Sequence, residues 1–165
     1  MKRLTLFLVL FFISSLFIRA QNEAQEEKQG RVTGIGGVFF KSEDPQKMKE
    51  WYYKNLGLVP NDYGSMFEFI ESDSKKAAYL QWSPFEKSTT YFEPSPKDFM
   101  INYRVVNIEA LVEQLKTSGV TIVDTIETYD YGKFVHIMDP DGNKIELWEP
   151  VDSPFTKSYE GKTTK

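Results

Sequence analysis

His136 is the only histidine in the chain, and Glu146 follows ten positions later. The stretch "HIMDPDGNKIE" joins them, with its turn centred on Asp141, five residues from each. Directly opposed residues of an antiparallel hairpin point to the same face. The spacing therefore predicts that His136 and Glu146 are neighbours, whereas a one-residue slip would put them on opposite faces. A carboxylate beside an imidazole favours the protonated ring, and desolvation opposes this. Such a pair can act as a general acid and base, or hold a polar group of a ligand. It can equally be a hydrogen-bonded pair with no chemistry.

The elements that must position this pair are found by laying the chain against itself. "GIGGVFFKSEDPQKMKEWYYKNLGLV" opens with a strand at Ile35–Phe40. Asp44 then reads as a helix N-cap, with Pro45 at the first helical position. Met48, Trp51, Tyr52 and Leu56 follow at helical spacing, and Gly57 ends the helix. "FMINYRVVNIEALVEQLKTSGVTIV" repeats the pattern. Its strand is Met100–Val106, its cap Asn107, its stripe Ile108, Leu111, Val112 and Leu115, and its stop Gly119.

Three strands are expected after each helix: about 58–63, 65–70 and 76–82, then about 120–127, 133–138 and 144–148. The unit is βαβββ, twice. The predicted class is α+β, with the two modules, about 32–83 and 98–150, pairing into a curved mixed sheet around a cavity, helices outside. A single module would leave one sheet face bare. The rival is an open ferredoxin-like sandwich with no cavity. The linker, 84–97, is rich in proline and long for a compact domain, and such loops often carry function. "GIGG" precedes a strand rather than following one, so it is no dinucleotide loop. It reads as close packing or as room left in the cavity.

The ends differ from this core. Residues 1–20 carry Lys2 and Arg3, an apolar run and then Ala20, the pattern of a secretory signal peptide. Export to the periplasm or medium is expected, with an uncleaved N-terminal anchor as the alternative. The run falls short of the roughly 20 apolar residues of a membrane span, so no membrane association is expected after cleavage. Residues 21–31 read as a flexible spacer and 151–165 as a loose tail, although Phe155 and Tyr159 could dock. The net charge of −4 becomes −7 without residues 1–20, which hold three basic residues and no acidic one. An acidic chain is a poor nucleic-acid binder. There is no cysteine, hence no disulfide or thiol chemistry. Thirteen Phe, some of them lost with residues 1–20, nine Tyr and three Trp can supply a core instead.

Three phrases carry a resemblance: "WYYKNLGL" at 51–58, "IEALVEQLKTSGV" at 108–120 and "DPDGNKIELWEP" at 139–150. At these separations the chain, over about 32–150, resembles the vicinal oxygen chelate superfamily of glyoxalase, bleomycin resistance and dioxygenase-like proteins. That resemblance implies a cavity, a small-molecule ligand and, in metal-dependent members, four cavity positions that hold a divalent cation. It also implies a homodimer as a common state.

Counting seven residues back from each cap places two of these positions at Gly37 and Met100. The last strands supply Gln81 and Glu146. Only Gln81 and Glu146 can ligate a hard cation, so the implied metal would be weakly held or lost. The single histidine argues against extradiol ring cleavage, whose iron site uses two histidines and one carboxylate. Phe39, Trp82 and Tyr103 stand on the strands as ligand contacts, or as core if their parity is opposite. Two functions stay open. One is a glyoxalase-like lyase or isomerase using Glu146 and His136, with Gln81 positioning an oxygen. The other is a metal-free protein that binds or sequesters a small molecule.

Overall fold

The computed structural model describes residues 29–72 and 74–164. The expected signal peptide and most of the expected spacer lie outside these residues. Among the described residues, no helix is long and apolar enough to cross a membrane.

Strand β1 (Arg31–Ser42) leads into helix α1 (Pro45–Leu56). The Asp44 carboxylate accepts a bond from the Lys47 amide at 2.9 Å, and Gly57 takes the left-handed conformation that closes the helix. Strands β2 (Ser65–Ile70) and β3 (Ala77–Glu86) complete the first half. The second half runs β4 (Phe99–Val106), α2 (Ile108–Thr117), β5 (Thr121–Ile122), β6 (Glu127–Tyr129), β7 (Gly132–Met138) and β8 (Lys144–Pro150). A short helix, α3 (Ser153–Ser158), follows.

The strands form one curved, unclosed mixed sheet in the order β2-β3-β1-β4-β8-β7-β5, with β6 also paired to β7. The repeat is visible in the pairing. β1 runs parallel to β3, β4 runs parallel to β8, and the two halves meet at the antiparallel β1–β4 seam. Ile108, Leu111 and Val112 of α2 pack on Val105, Val135 and Leu147 of the sheet. Each such side chain contributes roughly 2 kcal/mol on burial.

Two expected strands differ. Residues 58–63 form only a single bridge, Pro60 to Ser65. Pro60 has no N–H to donate, and the Asn61 side chain turns the chain by accepting from the Tyr63 and Gly64 amides at 2.9 and 2.8 Å. The strand expected at 120–127 is split into β5 and β6. At the break, an Asp124 carboxylate oxygen accepts the His136 amide at 2.8 Å, where a strand would offer a backbone carbonyl.

The C-terminal segment is docked rather than loose. Asp152 accepts from both terminal guanidinium nitrogens of Arg104, at 3.0 and 2.7 Å. Phe155 packs edge-on against Trp148 and beside Tyr79. Thr164 bonds the Met66 carbonyl through its amide and the Val59 amide through its hydroxyl, both at 2.8 Å. The linker is held as well. Phe92 is fully buried against Phe39 and Met100, and the Ser95 hydroxyl donates to the Gly142 carbonyl at 2.7 Å.

Candidate functional site

The curved sheet, with the linker and the C-terminal segment, lines an open cavity of about 620 Å³. The hairpin turn sets the register of its polar wall. Asp139 accepts from the Asp141 and Asn143 amides and from the Asn143 side chain, and Gly142 adopts positive φ. This fixes His136 directly opposite Glu146. His136 Nε2 lies 3.0 Å from Glu146 Oε2, and both residues line the cavity.

Three further residues complete the group. His136 Nδ1 lies 2.6 Å from Asp124 Oδ2, so the imidazole is held between two carboxylates. The Asn102 side-chain amide donates to Glu146 Oε1 at 2.5 Å. The Tyr91 hydroxyl donates to Glu146 Oε2. Tyr91 comes from the linker. Its carbonyl accepts from the Lys144 ammonium at 2.7 Å, and its ring stacks on Phe85.

Charge and burial compete here. Burial pulls the His136 imidazole down, but the bonds to Glu146 and Asp124 outweigh it, and the balance lies above the ordinary histidine value. Burial, reinforced by the Glu146 charge, pushes the Tyr91 hydroxyl far up, so it stays protonated and donates. Burial lowers the Lys144 ammonium.

The other expected site residues separate. Gln81 and Phe39 line the cavity. Trp82 does not: it packs on Phe40 and on Tyr52 of α1, on the helix side of the sheet. Tyr103 packs on the core beneath α2. Adjacent strand residues alternate faces, and both assignments fail on parity.

Met100 is also not a corner of the site. The corner equivalent to Gly37 is Asn102, which pairs with both Gly37 and Glu146, as Gly37 pairs with Gln81. The count from the caps overshoots by two. β1 runs five residues beyond its corner and reaches Asp44 through Glu43, whereas β4 runs four and meets Asn107 directly. Gly36 matters beside it: a Cβ there would lie 2.2 Å from Asn102 Oδ1 and 2.8 Å from the Trp148 ring. Sequence reasoning missed Asn102, Tyr91 and Asp124. The length of the linker pointed toward Tyr91, and an acid in mid-strand was the only signal for Asp124.

The donor set does not fit a divalent cation. Both Glu146 oxygens are taken by N–H and O–H groups or by the imidazole, and Asn102 turns its amide nitrogen, not its oxygen, toward them. Gln81 is engaged elsewhere, donating to the Trp82 carbonyl at 3.0 Å and accepting from Asn61 at 3.4 Å. Among the described residues, no three histidine, cysteine or acidic side chains form a metal-holding group.

A duplicated mixed sheet curved around a cavity, with paired polar positions at the seam, defines the class of vicinal oxygen chelate folds. The chain belongs to the Glyoxalase/Bleomycin resistance protein/Dioxygenase superfamily, whose family model matches residues 34–147. No curated protein sequence matches it significantly.

Among solved structures, the chain is similar to methylmalonyl-CoA epimerase from Mycobacterium tuberculosis. The identity is 22% and the TM-score 0.50, over 76% of this chain and 93% of that one. A variant of Streptomyces coelicolor methylmalonyl-CoA epimerase in complex with 2-nitronate-propionyl-CoA matches at 16% identity and TM-score 0.52, over 73% and 96%. The Mn(II)-bound glyoxalase from Novosphingobium aromaticivorans matches at 17% identity and TM-score 0.51, over 73% of this chain and 40% of that one. At these identities the likeness concerns the fold.

Proposed function

We propose that the cavity binds a small oxygenated molecule and moves a proton on it, as a lyase or isomerase working without a metal. The observation that carries this reading is the line Asp124–His136–Glu146, with the Tyr91 hydroxyl on the same carboxylate. In this reading Glu146 is the base. Asp124 holds the imidazole in place, and His136 returns the proton or donates to a ligand oxygen. Gln81 positions an oxygen from the opposite half, and Phe39 provides an apolar contact. The epimerase and glyoxalase neighbours support a carbonyl-adjacent proton as the target only by analogy of fold.

The test is deuterium exchange. The purified protein, with chelator present, is incubated in D2O with a panel of 2-substituted ketones, aldehydes and thioesters, and incorporation is followed by NMR. Exchange on at least one compound is expected, falling at least ~100-fold in Glu146→Gln. Exchange that requires added metal, or that survives Glu146→Gln, overturns the reading.

A second reading, a non-catalytic binding protein, is favoured by one observation. Three groups already occupy the Glu146 oxygens, which suits a fixed anchor better than a free base. Absence of exchange across the panel, together with saturable ligand binding, would establish it. The proposal also carries export, from the pattern of residues 1–20. N-terminal sequencing of the mature protein from periplasm or medium, beginning after Ala20, is the expected result.

A further inference from the structure

The walls of the cavity are aromatic in a way the proton chemistry does not use. Tyr129 and Tyr131 stack at 5.3 Å with their planes 4° apart, and Phe134 and Trp148 stack at 5.8 Å and 8°. Tyr131 meets Phe134 edge-on at 5.6 Å, joining the two stacks into one surface. All four line the cavity, and Tyr63 and Tyr159 face it as well. Its outer part is not spare core: Tyr129 is 46% exposed and Tyr131 42%, with Tyr63 nearby at 71%, while the buried Trp148 backs the surface. Tyrosines kept in water around a concavity offer flat, rigid contact area at low entropic cost.

The charge of the cavity is equally one-sided. Its ionisable lining includes Glu127, Glu146 and His136, and among the described residues no lysine or arginine lines it. The two nearby cations are already engaged. Arg104 is closed by Asp152, and the Lys144 ammonium sits on the Tyr91 carbonyl. An anionic ligand would meet the Glu127 and Glu146 carboxylates, while the one cationic group of the lining, the His136 imidazole, is already shared between Asp124 and Glu146, which is costly in a partly dehydrated site.

We infer that the ligand is a planar aromatic ring system that carries no negative charge, stacked on the Tyr129–Tyr131–Phe134–Trp148 wall with an oxygen toward Glu146. A thioester bearing phosphates, or any carboxylate or sulfonate, is disfavoured by the Glu127 and Glu146 carboxylates of the same cavity. This deepens the proposed function and rests on that reading's choice of the cavity as the ligand site.

The test is calorimetric titration with three probes of similar outline: 2-naphthol, its saturated counterpart decahydro-2-naphthol, and 6-hydroxynaphthalene-2-sulfonate. Saturable binding of 2-naphthol is expected, at least about tenfold tighter than either of the others, from stacking in one case and charge in the other. Tyr131→Ala weakens 2-naphthol about fivefold and Tyr131→Phe restores it, since a stacked ring and not a hydroxyl is at stake. Equal binding of the saturated probe, equal or tighter binding of the sulfonate, no saturable binding of 2-naphthol, or indifference to Tyr131→Ala each overturns the inference. The two readings fail separately. Absence of deuterium exchange with intact naphthol binding therefore removes the chemistry and leaves the aromatic site standing.

Discussion

The two halves of the sheet present the same corner with opposite contents. In the first half, Gly37 pairs with Gln81; in the second, Asn102 pairs with Glu146. The backbone is equivalent, but one corner holds no charge and the other gathers Tyr91, Asn102, His136 and, one step removed, Asp124 around a single carboxylate. A duplicated scaffold supplies two positions, and the side chains have concentrated the polar chemistry on one. The first-half corner is closely packed instead: a Cβ on Gly37 would meet the Phe39 ring at 2.6 Å, and one on Gly36 would meet Asn102 Oδ1 at 2.2 Å.

This contrast can be broken most directly at Glu146. Glu146→Gln is expected to lower exchange at least ~100-fold, whereas Gln81→Ala, at the matching position, lowers it about tenfold or less. Equal losses would mean that both corners work alike. Second in size is Met100→Ala. Met100 is fully buried against Phe39 and Phe92, so urea denaturation should show a loss of about 3 kcal/mol with unchanged m-value. A stable Met100→Ala that loses ligand would return Met100 to the site.

The pH dependence sharpens the contrast further. The His136 imidazole titrates above its ordinary 6.5 in the folded state, where burial is outweighed by the two carboxylates. Its stabilising contribution is therefore complete below about pH 6.5 and is lost as pH rises through the folded value. The stability difference between the native chain and His136→Gln should shrink across that window. A difference that grows with pH would show the ring to be neutral when folded. The smallest effect is expected on stability from Gln81→Ala, within about 0.5 kcal/mol, because the two hydrogen bonds of this half-buried amide, to the Trp82 carbonyl and from Asn61, are easily replaced by water.

The parts of this arrangement that were legible in the sequence are those fixed by local periodicity. The Asp44 and Asn107 caps, the α2 stripe and the His136–Glu146 register all follow from spacing within one element or one tight turn. What failed depended on distances between elements. Asn102 was missed because the two copies differ by two residues between corner and cap. The spacing of Trp82 and Tyr103 leaves open which way their strands present alternate residues. Tyr91 reaches Glu146 across 55 positions through a segment with no period of its own, and Asp124 acts by interrupting a strand rather than continuing it. Neither pattern leaves a periodic trace.

The chain's last residues return to its first half. Thr164 joins the β2 strand at Phe67, while Asp152 grips Arg104 at the seam. Together with the buried Phe92 of the linker, this stitches the copies together at both ends of the second one. Heating should thus melt them as one unit, with a single calorimetric transition. Trimming the final dozen residues would loosen the first half, though it removes none of its strands.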